Sequence, residues 1–281
     1  LNATLPFLTQ ARAPVVREVV VTDEFGQSRT LFIPAERALS IYVDKRELVT
    51  LMTLGAHPEW LVLGYLRNQR LVETLDEIES ITVDWDVGAA AVKTRNGISD
   101  IEKRTEKRVV TTGCGQGSLF GDVLDALDGI KLPAAYVTQT QLEEITDTIR
   151  LQDSIYKKAG SVHGCALFST QDTHAEKLIF VEDVGRHNAI DTIAGWMWLQ
   201  ENKVQTQEVV FYTTGRLTSE MVMKSAQMAI PIVVSRSGMT EMGLALAQQL
   251  NLCAIGRATN KRFLCFSAPE RVQWQAMVVA A

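Results

Sequence analysis

From about residue 161 onward, short β-branched runs alternate with spans of helical length, and this alternation constrains the fold more than anything else in the chain. Strands read at 166–169, 177–181, 208–212, 230–234, 252–255 and 262–266, with helices at 187–202, 217–229 and 240–250. Such a pattern calls for an α/β layer with a largely parallel sheet. Three of the strands are each followed by Gly-Arg: Gly185-Arg186, Gly215-Arg216 and Gly256-Arg257. In an open α/β sheet, ligands bind outside the carboxyl ends of strands. Glycine lets the backbone come close, a following helix offers free N–H groups, and arginine matches a phosphate with two donors. Arg186, Arg216 and Arg257 are therefore candidates for a site that takes a multiply phosphorylated anion. The opposing reading is three ordinary turns with surface arginines.

The first part of the chain is strand-rich. VREVVVT (16–22) and TLFIP (30–34) are β-branched, and 37–53 reads as a hairpin turning at Asp44-Lys45. A helix follows over 57–72 with Pro58 in its first turn, then strands at 78–83, 89–94 and 107–112. In the middle, Thr140 and Glu143 form a capping-box pattern for a helix to Lys158, with Gly160 as its stop. The expected organisation is a smaller β-rich domain with one helix at 1–112 and a larger α/β domain at 113–281.

Charge narrows the partners. Twenty-eight basic against 33 acidic residues give a net charge of −5, with no long basic run, which argues against nucleic acid or a membrane surface. No apolar run is long enough to span a bilayer, and LNATLPFLTQ has no signal-peptide pattern. The cysteines at 114, 165, 253 and 265 form no CxxC pair, so no zinc site or disulfide framework is expected. Free thiols fit a reducing compartment, the cytoplasm. His57-Pro58-Glu59 matches the H-x-E of zinc nucleobase deaminases, but the P-C-x-x-C that must accompany it is missing.

Cys114 sits differently from the other three cysteines. It lies in Gly113-Cys114-Gly115-Gln116-Gly117, after a β-branched run. Ser118 stands where a dinucleotide fingerprint needs its third glycine, which weakens a nicotinamide-binding reading. A glycine-rich loop with one thiol suits a sulfur that swings between donor and acceptor, while a tight turn with a small residue is the plain alternative. Cys165, Cys253 and Cys265 fall in strands and read as buried structural thiols. His187 precedes Asp191 by one helical turn, spacing that lets a carboxylate orient an imidazole, and His163 lies in a glycine-flanked turn.

FVEDVGRHNAIDTIAG (180–195), together with HPEWLVLGYLRNQRLV (57–72), AGSVHGCALF (159–168), YTTGRLTSEMVMKSAQMAIPIVVSRSG (212–238) and LNLCAIGRATNKRFLCFS (250–267), resembles the formate dehydrogenase accessory sulfurtransferase family, the FdhD type. The resemblance implies a sulfurtransferase that takes sulfane sulfur from a cysteine desulfurase as a cysteine persulfide. The sulfur passes to the molybdenum (or tungsten) bis(guanine dinucleotide) cofactor of formate dehydrogenase. It also implies a cytoplasmic homodimer whose larger domain is similar to cytidine deaminases without their zinc. By resemblance, Cys114 is the persulfide carrier, and Phe263, Leu264, Cys265, Phe266, Ser267 and Ala268 contact the nucleotide cofactor. Arg186, Arg216 and Arg257 would lie near its phosphates, with His187 on a phosphate or on the persulfide. The family's usual loop is CxxC; here Gly117 takes the second position, leaving a single-cysteine variant. The alternatives are a cofactor-binding chaperone without covalent sulfur chemistry and a nicotinamide-dependent dehydrogenase.

Overall fold

The structure, a computed structural model, describes residues 5–98, 129–200 and 203–275. The chain runs β1 (Phe7–Leu8), β2 (Val16–Thr22), β3 (Ser28–Pro34), β4 (Arg37–Val43), β5 (Arg46–Thr53), α1 (Pro58–Asn68), β6 (Ile78–Asp84) and β7 (Ala89–Thr94). After residue 128 come β8 (Val137–Thr138), α2 (Gln139–Leu151), α3 (Ile155–Ala159), β9 (His163–Ser169), β10 (Glu176–Asp183), α4 (Arg186–Leu199) and β11 (Val209–Thr213). The chain continues with α5 (Ser219–Gln227), β12 (Ile232–Ser235), α6 (Glu241–Gln249), β13 (Cys253–Thr259), β14 (Arg262–Ser267) and β15 (Val272–Gln273). No described helix is long and apolar enough to cross a membrane.

Two compact units emerge, and the chain passes between them more than once. Among the described residues, the first unit takes 5–98, 153–164 and 181–200, and the second takes 129–152, 165–180 and 203–275. The consecutive division at 112/113 does not anticipate this return, because the partner that α1 needs, α4, lies some 120 residues further on. The strands read at 107–112 and the Cys114 loop lie outside the described residues.

In the first unit a five-stranded sheet has the order β1-β6-β7-β4-β5. The hairpin of β4 and β5 turns at Asp44 and Lys45, whose φ values of 47° and 73° form the tight turn that the sequence announces. Alternate residues Leu39, Ile41 and Val43 point inward, as a half-buried strand requires. They pack with Leu61, Val62, Leu63, Tyr65 and Leu66 of α1. That helix is buried nearly all round rather than along one stripe, because α4 covers its other side. The crossing is very close. A Cβ on Gly64 would stand 1.7 Å from the Asp191 carbonyl oxygen, and one on Gly195 would stand 2.0 Å from that of Trp60. Two glycines facing each other let the backbones meet.

The six-stranded sheet has the order β10-β9-β11-β12-β13-β14. β11, β12 and β13 run parallel, while β9 pairs antiparallel with β11, and β14 with β13. The sheet is therefore mixed, not largely parallel; β14 follows β13 by a tight turn, which enforces reversal. Ala166, Phe168, Val210, Tyr212, Ile232, Val234 and Ile255 form one apolar face, against which Leu142 and Ile145 of α2 pack within the second unit.

Two local readings change. The helix expected over 140–158 is two helices. α2 starts two residues earlier than the Thr140–Glu143 pattern suggests, capped by Thr138, whose hydroxyl accepts from the Gln141 N–H at 3.1 Å while the Gln141 side chain takes the Thr138 N–H at 2.9 Å. It ends at Leu151, and α3 is capped afresh by Ser154 and by Glu182, whose carboxylate takes the N–H groups of Ile155 and Tyr156 at 2.5 and 3.1 Å. The second correction concerns Gly256-Arg257, which lies inside β13 rather than past it. The β13–β14 register shifts between Gly256 and Thr259, and Arg257 takes φ 53°, so a bulge does the turning that a strand end was expected to do.

Candidate functional site

In the second unit, the carboxyl ends of the parallel strands carry laced loops. The Arg236 N–H donates to the Thr213 carbonyl at 2.9 Å, Ser237 Oγ donates to that of Thr214 at 2.9 Å, and Ser235 Oγ donates to that of Gly215 at 2.6 Å. The Leu217 N–H reaches the Gly238 carbonyl at 3.0 Å, and the Arg257 N–H reaches that of Ser237 at 2.7 Å. The bulge thus has a purpose: its strained residue ties β13 to the loop after β12. A side chain at Gly256 would collide with Phe266 at 2.8 Å.

These bonds bring Arg216, on the loop after β11, and Arg257, on the β13 bulge, to one end of the sheet, both exposed. They also bring an arginine that the sequence reading passed over. Arg236, exposed between Ser235 and Ser237, holds the place after β12 that Arg216 holds after β11, but it follows serine and so escaped the Gly-Arg pattern. Three exposed arginines, two on the loops after β11 and β12 and one on the β13 bulge, suit an anion with several phosphates. The heads of α5 and α6 lie beside them, Thr240 capping α6 through the Gly243 N–H at 3.2 Å.

Arg186 and His187 belong to the first unit. They open α4 and are buried, at 7% and 5% exposure, so Arg186 is not the surface arginine of the plain reading. Arg186 Nε has no hydrogen-bond partner among the described residues. Just before them, Asp183 is the hub that sequence reasoning missed. Its carboxylate accepts from Thr53 Oγ1 at 2.5 Å, Asn188 Nδ2 at 3.0 Å, and the N–H groups of Leu54 and Gly185 at 3.3 and 3.4 Å. Burial pushes its pKa up, and these donors pull against it. Asn188 Nδ2 also donates to the Met52 carbonyl at 2.6 Å, so the first turn of α4 is anchored to the end of β5. Asp191, read as the partner of His187, takes a 2.7 Å hydrogen bond from Asn68 Nδ2 of α1. The signal for this network is the polar run Glu182-Asp183 between an apolar strand and an apolar helix.

The remaining candidates are placed as follows. Phe263, Leu264, Cys265, Phe266 and Ser267 lie on β14, with Leu264 exposed. Ser267 is buried, its Oγ donating to the Leu252 carbonyl at 2.7 Å, and Ala268 takes a left-handed turn at φ 48°. Cys165 and Cys253 are buried in strands as expected, whereas Cys265 is half-exposed. His163 begins β9 and is half-buried. His57 stacks on Trp60 with ring centroids 4.2 Å apart, and burial lowers its pKa. Glu59 is spent on Thr9 Oγ1 and the Ala11 N–H, both at 2.7 Å, so this H-x-E pair ties down the chain's first segment.

The FdhD/NarQ family model matches residues 34–273, which takes in both units. This chain belongs to the FdhD/NarQ family. Among its family relatives, the sulfur carrier protein FdhD of Bacillus licheniformis is 31% identical over 246 residues, covering 85% of this chain and 89% of that one. The protein of the same name from Bacillus subtilis is 31% identical over 244 residues, with the same coverage. A solved structure of a formate dehydrogenase accessory protein from Desulfotalea psychrophila is similar with a TM-score of 0.72 at 25% identity, covering 92% of this chain and 99% of that one. The FdhD/NarQ match therefore embraces the Gly-Arg loops, the Asp183 network and the β13–β14 pair together.

Proposed function

We propose that the chain is a sulfurtransferase that carries sulfane sulfur from a cysteine desulfurase, as a persulfide on Cys114, to the molybdenum (or tungsten) bis(guanine dinucleotide) cofactor of formate dehydrogenase. The observation that carries this reading is likeness over most of the chain to relatives named sulfur carrier proteins. The laced arginine loops support the acceptor's chemical class, because a dinucleotide pair offers several phosphates to Arg216, Arg236 and Arg257. Within the second unit, the β14 segment from Phe263 to Ala268 meets the cofactor's nucleotide part. In this reading the carrier acts as a cytoplasmic homodimer, and its second unit has a deaminase-like architecture put to sulfur transfer.

The chemistry needs one thiolate. An attacking thiol displaces sulfur from a donor persulfide, and the carried atom leaves toward the acceptor in a second exchange, so the missing second loop cysteine removes no obligatory step. The test is Cys114→Ala in the full chain, incubated with a cysteine desulfurase and cysteine. The variant is expected to fold, to bind guanosine diphosphate as wild type does, and to lose activation of the client dehydrogenase. Full activation by Cys114→Ala would instead establish a chaperone that binds the cofactor without covalent sulfur.

A further inference from the structure

The amino end of α4 carries no side-chain cap. The first N–H groups of a helix have no partner inside it, and here the Ala189 N–H is the one that reaches the Gly185 carbonyl, at 3.1 Å. Gly185, the N-cap, has an extended backbone, φ −114° and ψ 131°, and no side chain to offer. Neither conformation nor space imposes glycine there, since a Cβ would meet nothing nearer than the Asn188 side chain at 3.8 Å. Serine, aspartate or asparagine would close such an end with an oxygen. Asn188 does not close it either, because its amide nitrogen is turned to the Met52 carbonyl at 2.6 Å and to Asp183 at 3.0 Å.

Arg186 adds an independent observation. The Cα–Cβ bonds of a helix tilt toward its amino end, so the side chain of this first residue leans past the open N–H groups. Arg186 is 7% exposed, and its Nε is buried with no hydrogen-bond partner among the described residues. Asp183, the carboxylate at this end of the helix, is spent on Thr53, Leu54, Gly185 and Asn188. A buried cation and a buried unmade donor are both costly unless an anion meets them. All these residues belong to the first unit.

The charge of that anion is bounded. A single guanidinium faces it, and the four donors on Asp183 suit that carboxylate's ionised form. A phosphate-rich ligand would bring more negative charge to this end of α4 than one guanidinium balances, whereas a monoanion matches it. Burial favours a weakly hydrated monoanion, which loses least on leaving water.

We propose that Arg186 and the open amino end of α4 form a binding site for a small, weakly hydrated monoanion of the class to which the terminal sulfur of a persulfide belongs. The proposal rests on the sulfur-carrier reading for that choice of anion and deepens it: the site holds the negative charge of the sulfur, while phosphates are left to the exposed arginines of the second unit.

The test is NMR of the full chain with nitrogen-15 arginine, reading the Arg186 Nε–H signal, which is assigned by its disappearance in Arg186→Lys. Sodium thiocyanate, a sulfur-terminated monoanion, and inorganic phosphate are titrated separately at constant chloride. Thiocyanate is expected to move the Arg186 signal to saturation, and phosphate to bind at least about tenfold more weakly. A signal unmoved by thiocyanate, or moved at lower concentration by phosphate, would overturn the proposal. Gly185→Asp, which ties a carboxylate to the same N–H groups, should raise the melting temperature without added anion and weaken thiocyanate at least about tenfold. Undiminished thiocyanate binding in a folded Gly185→Asp protein would also overturn it. Cys114→Ala should bind thiocyanate as wild type does. Failure of the titration therefore leaves the carrier reading standing, and failure of Cys114 to load sulfur would strike that reading while the anion site remained.

Discussion

Single residues here divide into those tied down by neighbours and those left for chemistry. His174 and Glu144 illustrate the first kind at the surface, where the imidazole Nδ1 lies 2.6 Å from the carboxylate and the Ala175 N–H takes the other oxygen at 2.8 Å. The hydrogen bond to Glu144 raises the His174 pKa. A raised folded value means that the pair's stabilising effect is full below the ordinary histidine range, near about 6.5, and is lost as pH rises through the folded value. NMR titration should therefore find His174 titrating above the ordinary histidine value of about 6.5, and Glu144→Gln should bring it back. Asp183 is tied more deeply, with four donors on one buried carboxylate. The arginines were legible as residue types beside strand ends. What was not legible was their burial: Arg186 and Arg216 share the same Gly-Arg spelling, yet one is nearly sealed and the other open. A dipeptide carries no record of what packs over it.

At the level of elements, the strands of the first part and the helices of the second were readable, because β-branched runs and Gly-punctuated boundaries are local signals. Three features depended on contacts distant in sequence. The helix over 140–158 breaks because Ser154 and Glu182 offer α3 a cap of its own. β13 continues through Gly256-Arg257 because β14 pairs with it beyond a bulge. The contact of α1 with α4 depends on Gly64 and Gly195, which read in the sequence as unremarkable small residues inside helices. At this last place the obstruction to a side chain is backbone on both sides, so no rotamer change relieves it. Gly195→Ala is expected to destabilise the protein by at least about 3 kcal/mol, well beyond the ordinary gain of alanine over glycine in a helix. Urea unfolding followed by circular dichroism would show this as a lowered midpoint.

Across the whole molecule, the mixed α/β class was legible, while the consecutive two-part division was drawn without α4's return to the first unit. Charge and hydropathy patterns report neighbours along the chain, and the interleaving is set by neighbours in space. A fragment of residues 1–152 keeps the five strands of the first sheet and α1 but lacks α3 and α4. It should expose the apolar side of α1 and show no cooperative thermal transition, where the full chain shows one; calorimetry on the two proteins checks this.

The glycine contact between α1 and α4 also has a consequence for biosynthesis. As the polypeptide emerges from the ribosome, α1 appears long before the helix that must lie against it, and the Gly64 side of α1 waits for that helix. The first unit is thus committed late, after α2, β9 and β10 have been made. Until then the surface of α1 that α4 covers stays open, and surface exposed in this way during synthesis is prone to aggregate.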